Sequence, residues 1–164
     1  VATVTKFARL GEKKTVRLPD NTVVVLNSGS HLEYPNEFDA SQRNVKLKGE
    51  AFFNVSEDAN RPFIIESGFY KVKVLGTSFA VNKMDHSPSI DVSVVTGKVE
   101  VNRVDGKSKT NKVLVAAQEM VSFNESKEEF EKSELDYNKM IAWRDGTLYF
   151  RNSDFNEILH ELES

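Results

Sequence analysis

Three stretches of the chain repeat one pattern, an alternation of apolar residues interrupted by a glycine: Val45 to Val55 (VKLKGEAFFNV), Val72 to Val81 (VKVLGTSFAV) and Val92 to Val101 (VSVVTGKVEV). Sliding the second onto the third by twenty residues matches Val72 with Val92, Val74 with Val94, Leu75 with Val95, Phe79 with Val99 and Val81 with Val101. Period-two alternation places one residue set on each face of a strand, so a single-residue slip exchanges the faces. Both copies slip at the same place, Val74 to Leu75 and Val94 to Val95. A bulge or bend that takes a strand out of one sheet and into another has this signature. A weaker fourth copy follows at Val113, Val115, Ala116 and Met120. The reading is an all-β fold of serial strand–corner–strand repeats, forming either a twisted β-solenoid or a jelly-roll-like sandwich. Gly29, Gly49, Gly76 and Gly97 are its expected turn, corner or bulge glycines.

The surrounding segments fit that frame. Thr15 to Leu18, Thr22 to Leu26, His31 to Tyr34 and Phe63 to Glu66 read as strands, separated by Pro19-Asp20-Asn21 and Asn27-Ser28-Gly29-Ser30, which have turn chemistry. Residues 1–10 carry no strand assignment. From Asn124 to Asp136 the chain turns acidic, with Phe130 and Leu135 as its apolar anchors, and reads as a charged edge strand. The first domain is therefore drawn over 1–136. Residues 137–164 differ: Trp143 to Phe150 has a strand–turn–strand start, and Ser153-Asp154 can cap a helix carrying Phe155, Ile158, Leu159 and Leu162 on one face. Such a short C-terminal β–α unit cannot bury its apolar face alone. It must dock on the preceding domain, pair with another molecule, or open a second α/β domain, which is the reading adopted.

Composition narrows the function. With 39% hydrophobic and 29% charged residues and a net charge of -3, the chain has globular character and no basic field, so nucleic acid is not an expected partner. No apolar run approaches the roughly 20 residues that cross a bilayer as a helix. There is no cysteine nucleophile, no phosphate loop and no serine in a GxSxG setting. His31, His86 and His160 fall in three separate segments, without metal-pair spacing. No catalytic residue, metal ligand or cofactor is expected. Glu50, Glu66, Asp91 and Glu100 are the carboxylates that a β-sandwich glycosidase would have to bring together, although nothing in their spacing selects a pair. The Asn54-Val55-Ser56 and Asn124-Glu125-Ser126 triplets are too short a pattern to carry weight. A carbohydrate-binding β-sandwich module is the alternative of a different class, and it requires an exposed coplanar pair of aromatic rings or a calcium loop.

An ordered set of motifs resembles the periplasmic region of FecR-type anti-sigma factors. The carriers are Arg17 to Thr22 (RLPDNT), Leu26 to Ser30, Leu32, Tyr34-Pro35, Arg43, Val45, Leu47, Gly49 to Val55 (GEAFFNV), Arg61-Pro62-Phe63, Val74 to Phe79 (VLGTSF) and Val95 to Val99 around Gly97. The resemblance covers roughly residues 11 to 123, and Trp143, Asp145-Gly146, Leu148 and Phe150 are similar to the opening of the secretin/TonB short N-terminal-like domain that follows in this family. It implies a non-enzymatic periplasmic sensor and relay region of a single-pass inner-membrane protein. Its partner would be the periplasmic signalling domain of a TonB-dependent outer-membrane transducer. An extracytoplasmic-function sigma factor would be held by a cytoplasmic domain across a membrane helix, neither of which this stretch of sequence contains. Candidate partner contacts are Trp143, Leu148, Phe150, Ile158 and Leu162, with packing on the chain's own β-domain as the competing use of the same residues.

Overall fold

The computed structural model describes residues 1–136 and residue 138, and over that span the protein is built of strands. They are β1 (Thr3–Phe7), β2 (Lys14–Arg17), β3 (Val23–Leu26), β4 (His31–Pro35), β5 (Arg43–Asn54), β6 (Phe63–Ser67), β7 (Tyr70–Val74), β8 (Ser78–Lys83), β9 (Asp91–Thr96), β10 (Lys98–Arg103), β11 (Lys112–Ala116), β12 (Glu119–Asn124) and β13 (Glu129–Glu134). The expected second domain and its β–α unit lie outside the described residues.

The strands form one continuous sheet folded over on itself, nearly closed like a barrel. Its front half runs β1-β4-β5-β6-β7-β10-β11 and its back half β2-β3-β5-β8-β9-β12-β13, with β5 belonging to both. Lys46, Leu47 and Lys48 of β5 pair with β4 in front, while Ala51 to Asn54 pair with β3 behind. Between them stands Gly49, at φ +103°, the left-handed region that favours glycine.

Each later repeat makes the same change of sheet. The chain passes front to back between β7 and β8, back to front between β9 and β10, and front to back between β11 and β12. Successive repeats thus run in opposite directions, and every ladder is antiparallel except β5 with β6. A solenoid would stack its coils in parallel, so of the two expected architectures the sandwich-like one forms. The slip at Val94-Val95 is a bulge: Ser78 faces Thr96 and Phe79 faces Val94, which leaves Val95 unpaired. The slip at Val74-Leu75 is the bend itself, with Val74 buried and Leu75 exposed.

Residues facing inward from both halves make one apolar core. Val24, Phe53, Phe79, Val94 and Val121 from the back meet Leu32, Leu47, Ile65, Val72 and Val101 from the front. Phe53 stacks on Phe79 at 5.3 Å and meets Phe63 edge-on at 6.3 Å. Residues 1–10, unassigned from sequence, contribute β1, which pairs with β4 from Thr3↔Pro35 to Phe7↔His31. The acidic stretch supplies β13, the back-sheet edge, largely exposed and lacking apolar residues beyond Phe130, as its charge pattern suggested.

Candidate interaction surfaces

Two buried arginines fix the two ends of the fold. At the end where the corners of Gly76 and Gly97 adjoin, the fully buried Arg43 side chain donates from Nη1 to Asp20 Oδ2 at 2.8 Å and to the Ser56 carbonyl at 2.7 Å. Its Nε donates to the Arg61 carbonyl at 2.7 Å and Nη2 to the Leu75 carbonyl at 3.0 Å. Asp20 in turn accepts from the Thr22 amide and hydroxyl, and the Thr22 hydroxyl accepts from the Ser56 amide. One guanidinium therefore ties three loops together, with the Phe63 ring 5.4 Å away. At the opposite end, Arg103 pairs bidentately with Asp105 at 2.8 and 3.0 Å and donates to Glu125 at 2.6 Å and to the Tyr70 hydroxyl at 3.1 Å, 4.4 Å from the Phe123 ring centre. The guanidinium holds the Asp105 carboxyl down at about 2, while burial pushes the Tyr70 phenol up to about 12. The Tyr70 hydroxyl in turn donates a hydrogen bond to the Pro88 carbonyl at 2.6 Å. Both arginine side chains are buried and hydrogen-bonded to structural partners, so their role is to order loops.

The Arg103 end carries two clefts, each about 470 Å³, on either side of the segment from Met84 to Pro88. His31 and His86, which the sequence puts in separate segments, line the same cleft together with Lys46, Lys48 and Asp85. Among the described residues no group of three metal-ligating side chains comes together. Exposed Phe7 lies stacked on His31 at 5.6 Å, and exposed Phe69 lies near Arg103 at 5.9 Å. A sugar platform of two exposed coplanar aromatic rings is not found among the described residues. The four carboxylates do not converge either: Glu66 and Glu100 stand on the front sheet opposite Lys71 and Lys73, while Glu50 and Asp91 stand on the back sheet with the β8 strand between them.

Glu50 has the most perturbed carboxyl. Burial, with Asp91 adding negative charge, pushes it up to about 7 even though the Asn27 amide donates to it at 2.8 Å. Because the folded state holds this proton more tightly than the unfolded chain does, stability is present below about 4.5 and is lost as pH rises toward about 7. Glu50→Gln is expected to remove that pH dependence and to exceed the unmodified protein by about 1–2 kcal/mol at pH 8, after allowance for solvent screening. Urea unfolding at pH 5 and pH 8 measures this; equal losses in both proteins between the two pH values would exclude Glu50 as the source.

The outer faces of the two half-sheets differ in kind. Across the front, one transverse row reads Glu33, Lys46, Glu66, Lys71, Asn102, Lys112, a charged surface made for water. Across the back, the corresponding row is Val25, Phe52, Ala80, Ser93 and Met120. Directly paired residues project to the same side of a sheet, and the residues that face the core are their neighbours along each strand: Val24 and Leu26, Ala51 and Phe53, Phe79 and Val81, Val92 and Val94, and Val121. Every member is nonetheless buried, from 0% exposed at Phe52 to 7% at Ala80, and none belongs to the core cluster.

The glycines divide by cause. Gly29 and Gly97 have φ of +75° and +78°, as Gly49 has its own positive value. Gly76 does not lie in that region; a Cβ there would come within 2.7 Å of the Glu57 Cα, so close backbone approach is what excludes a side chain. The contact positions expected from sequence, Trp143, Leu148, Phe150, Ile158 and Leu162, lie outside the described residues. What sequence reading passed over were the arginine hubs and the apolar back face. Arg43 lies in the inward phase of Val45 and Leu47, and Arg103 in that of Val99 and Val101, a signal that marks both as buried.

These features define an all-β scaffold of bent strands with two arginine-tied ends, a charged front face and an apolar back row. The chain belongs to the FecR family: the model described as FecR protein matches residues 5–100, more than half of the sequence. Two solved structures from Parabacteroides distasonis, each described as an anti-sigma factor, are similar to it. One, at 2.50 Å, is 38% identical with a TM-score of 0.79 and aligns with 99% of this chain and 74% of its own. The other, at 1.65 Å, is 39% identical with a TM-score of 0.77 over 98% and 73%. Comparison with curated proteins returns no match. The family match contains the GEAFFNV and VLGTSF blocks, which are the back half of β5 and the corner after β7.

Proposed function

We propose that this protein is the periplasmic sensor and relay region of a membrane-anchored anti-sigma factor, non-enzymatic, acting through protein contacts. The observation that carries the reading is membership of the FecR family together with similarity, over 99% and 98% of this chain and 74% and 73% of theirs, to two solved chains described as anti-sigma factors. In this reading a TonB-dependent outer-membrane transducer presents its periplasmic signalling domain, and the message passes to an extracytoplasmic-function sigma factor held across the membrane. The β-body supplies a rigid platform, its two ends fixed by Arg43 and Arg103. Recognition falls to the sheet edges and to Trp143, Leu148, Phe150, Ile158 and Leu162, since a free edge strand or an apolar face is a ready surface for a partner.

Calorimetric titration with the purified signalling domain of the transducer encoded beside it tests this, using both this chain and the complete periplasmic region. Binding by both puts contacts on residues 1–164. Binding by the longer region alone moves recognition beyond Ser164. Binding by neither overturns the transducer relay.

A further inference from the structure

At the Arg103 end of the fold the alternation that builds the core runs out on two polar residues. On β8 the inward phase of Phe79 and Val81 continues to Lys83, and on β6 that of Phe63 and Ile65 continues to Ser67. One strand belongs to the back half and the other to the front, so both residues enter the space between the half-sheets, where the pattern calls for apolar side chains. Ser67 is 2% exposed and Lys83 8%, and both line the cleft on the Phe69 side of the segment from Met84 to Pro88. The fold satisfies neither. An ammonium has three N–H donors, yet Lys83 Nζ makes a single hydrogen bond, to the Met84 carbonyl at 2.7 Å. Among the described residues no carboxylate pairs with it. The buried Ser67 hydroxyl has no hydrogen-bond partner among them. Gly68 makes room for the lysine: a Cβ there would stand 3.0 Å from Lys83 Cε and 3.7 Å from Nζ.

We propose that this cleft binds a carboxylate ligand with an apolar body. A buried charge without a counter-charge and a buried hydroxyl without a partner both cost free energy, and one carboxylate relieves both. Its single charge matches the single buried ammonium, whereas a phosphate dianion would bring a second charge that the interior does not answer. A further lysine, Lys48, lines the cleft, and the apolar body rests against Leu47, Phe69 and Pro88. These walls are fixed in advance. The Val104 amide donates to the Phe69 carbonyl at 2.8 Å, and the Pro88 carbonyl accepts from the Tyr70 hydroxyl at 2.6 Å. At about 470 Å³ the cleft has the size of a small-ligand site. The proposal concerns a ligand of the β-body and stands or falls independently of the transducer reading.

Phenylacetate, N-acetylphenylalanine and phenylacetamide are the probes, titrated into isotope-labelled protein and read on the amide signals of Ser67, Gly68, Phe69 and Ser87. Both acids are expected to shift these signals saturably. The amide, with the same shape and no charge, is expected to bind about tenfold more weakly, the loss of one charged hydrogen bond. Lys83→Met, which keeps the side chain's bulk without its charge, is expected to abolish the preference for acid over amide, while Lys71→Met, on the exposed front face, leaves it intact. The comparison of acid with amide needs no variant, so the test holds even if Lys83→Met does not fold. Tighter binding of N-acetylphenylalanine than of phenylacetate would make a peptide terminus the source of the carboxylate, and the reverse a free organic acid; both outcomes support the site. No saturable shift with either acid, equal binding of acid and amide, or an acid preference that survives in Lys83→Met overturns it.

Discussion

Arg43→Met is expected to lower the unfolding free energy by about 3–5 kcal/mol, the usual cost of removing one partner from a buried ion pair. A methionine fills much of the volume but leaves the Asp20 carboxylate without its counter-charge and takes from the Ser56 and Arg61 carbonyls the donor they have in Arg43, while the Leu75 carbonyl keeps the Asp58 amide. For a domain whose total stability is about 5–15 kcal/mol, that is a large fraction. Arg43→Lys is expected to recover little of the loss, because one ammonium cannot reach Asp20 and three carbonyls set around a planar fork. Equilibrium urea denaturation of the three proteins decides it: a loss under 1 kcal/mol in Arg43→Met would show that the loops at this end hold without the hub.

Gly97→Val is the second large expected effect, about 2–5 kcal/mol, and it combines two separable causes. The residue has φ of +78°, which costs an L side chain about 1–2 kcal/mol. Its Cβ would also lie 2.5 Å from Thr77 Cγ2 and 3.1 Å from the Gly76 carbonyl, and overpacking of that kind costs about 1–3 kcal/mol. Gly106→Ala isolates the first cause, since its φ is also +78° but nothing lies within 4 Å of the added atom. Gly76→Val isolates the second, being free of positive φ but blocked by the Glu57 backbone. Thermal melts are expected to rank Gly97→Val below both single-cause variants; a Gly97→Val no worse than Gly106→Ala would mean that the corner relaxes and the contact costs nothing.

Much of this fold was legible in the alternation of its valines. Val72, Val74, Val99 and Val101 kept one phase because each is inward, and the slips at Val74-Leu75 and Val94-Val95 fell where the chain bends or bulges between half-sheets. The choice between solenoid and sandwich was not legible, because strand direction leaves no trace in a repeat that reads alike either way. β1 escaped notice because a strand that is only partly buried, and on one side, can be written as TVTKF, with little apolar content. The hubs were hidden for a different reason: an arginine in an inward phase is ambiguous until the carbonyls of Ser56, Arg61 and Leu75, far apart along the chain, are brought around it. The back face was obscured by its own composition. Val23 to Leu26 and Ala51 to Phe53 are continuous apolar runs, which say that both faces are covered without saying by what.

The position of β13 has a mechanical consequence for any protein that transmits a pull along its chain. β5 is gripped on both sides in both half-sheets, whereas among the described residues β13 is held by a single ladder, to β12. Tension applied beyond Asp136 therefore loads the weakest attachment first, opening pairs in turn from Glu134↔Glu119 toward Asn124↔Glu129. The unzipping meets its stop where Phe130 is lodged edge-on against Phe123 at 5.0 Å and Tyr70 at 6.3 Å. Up to that stop the chain can pay out length as a cord does from a fixed post, with neither the core nor the Arg43 hub taking the strain.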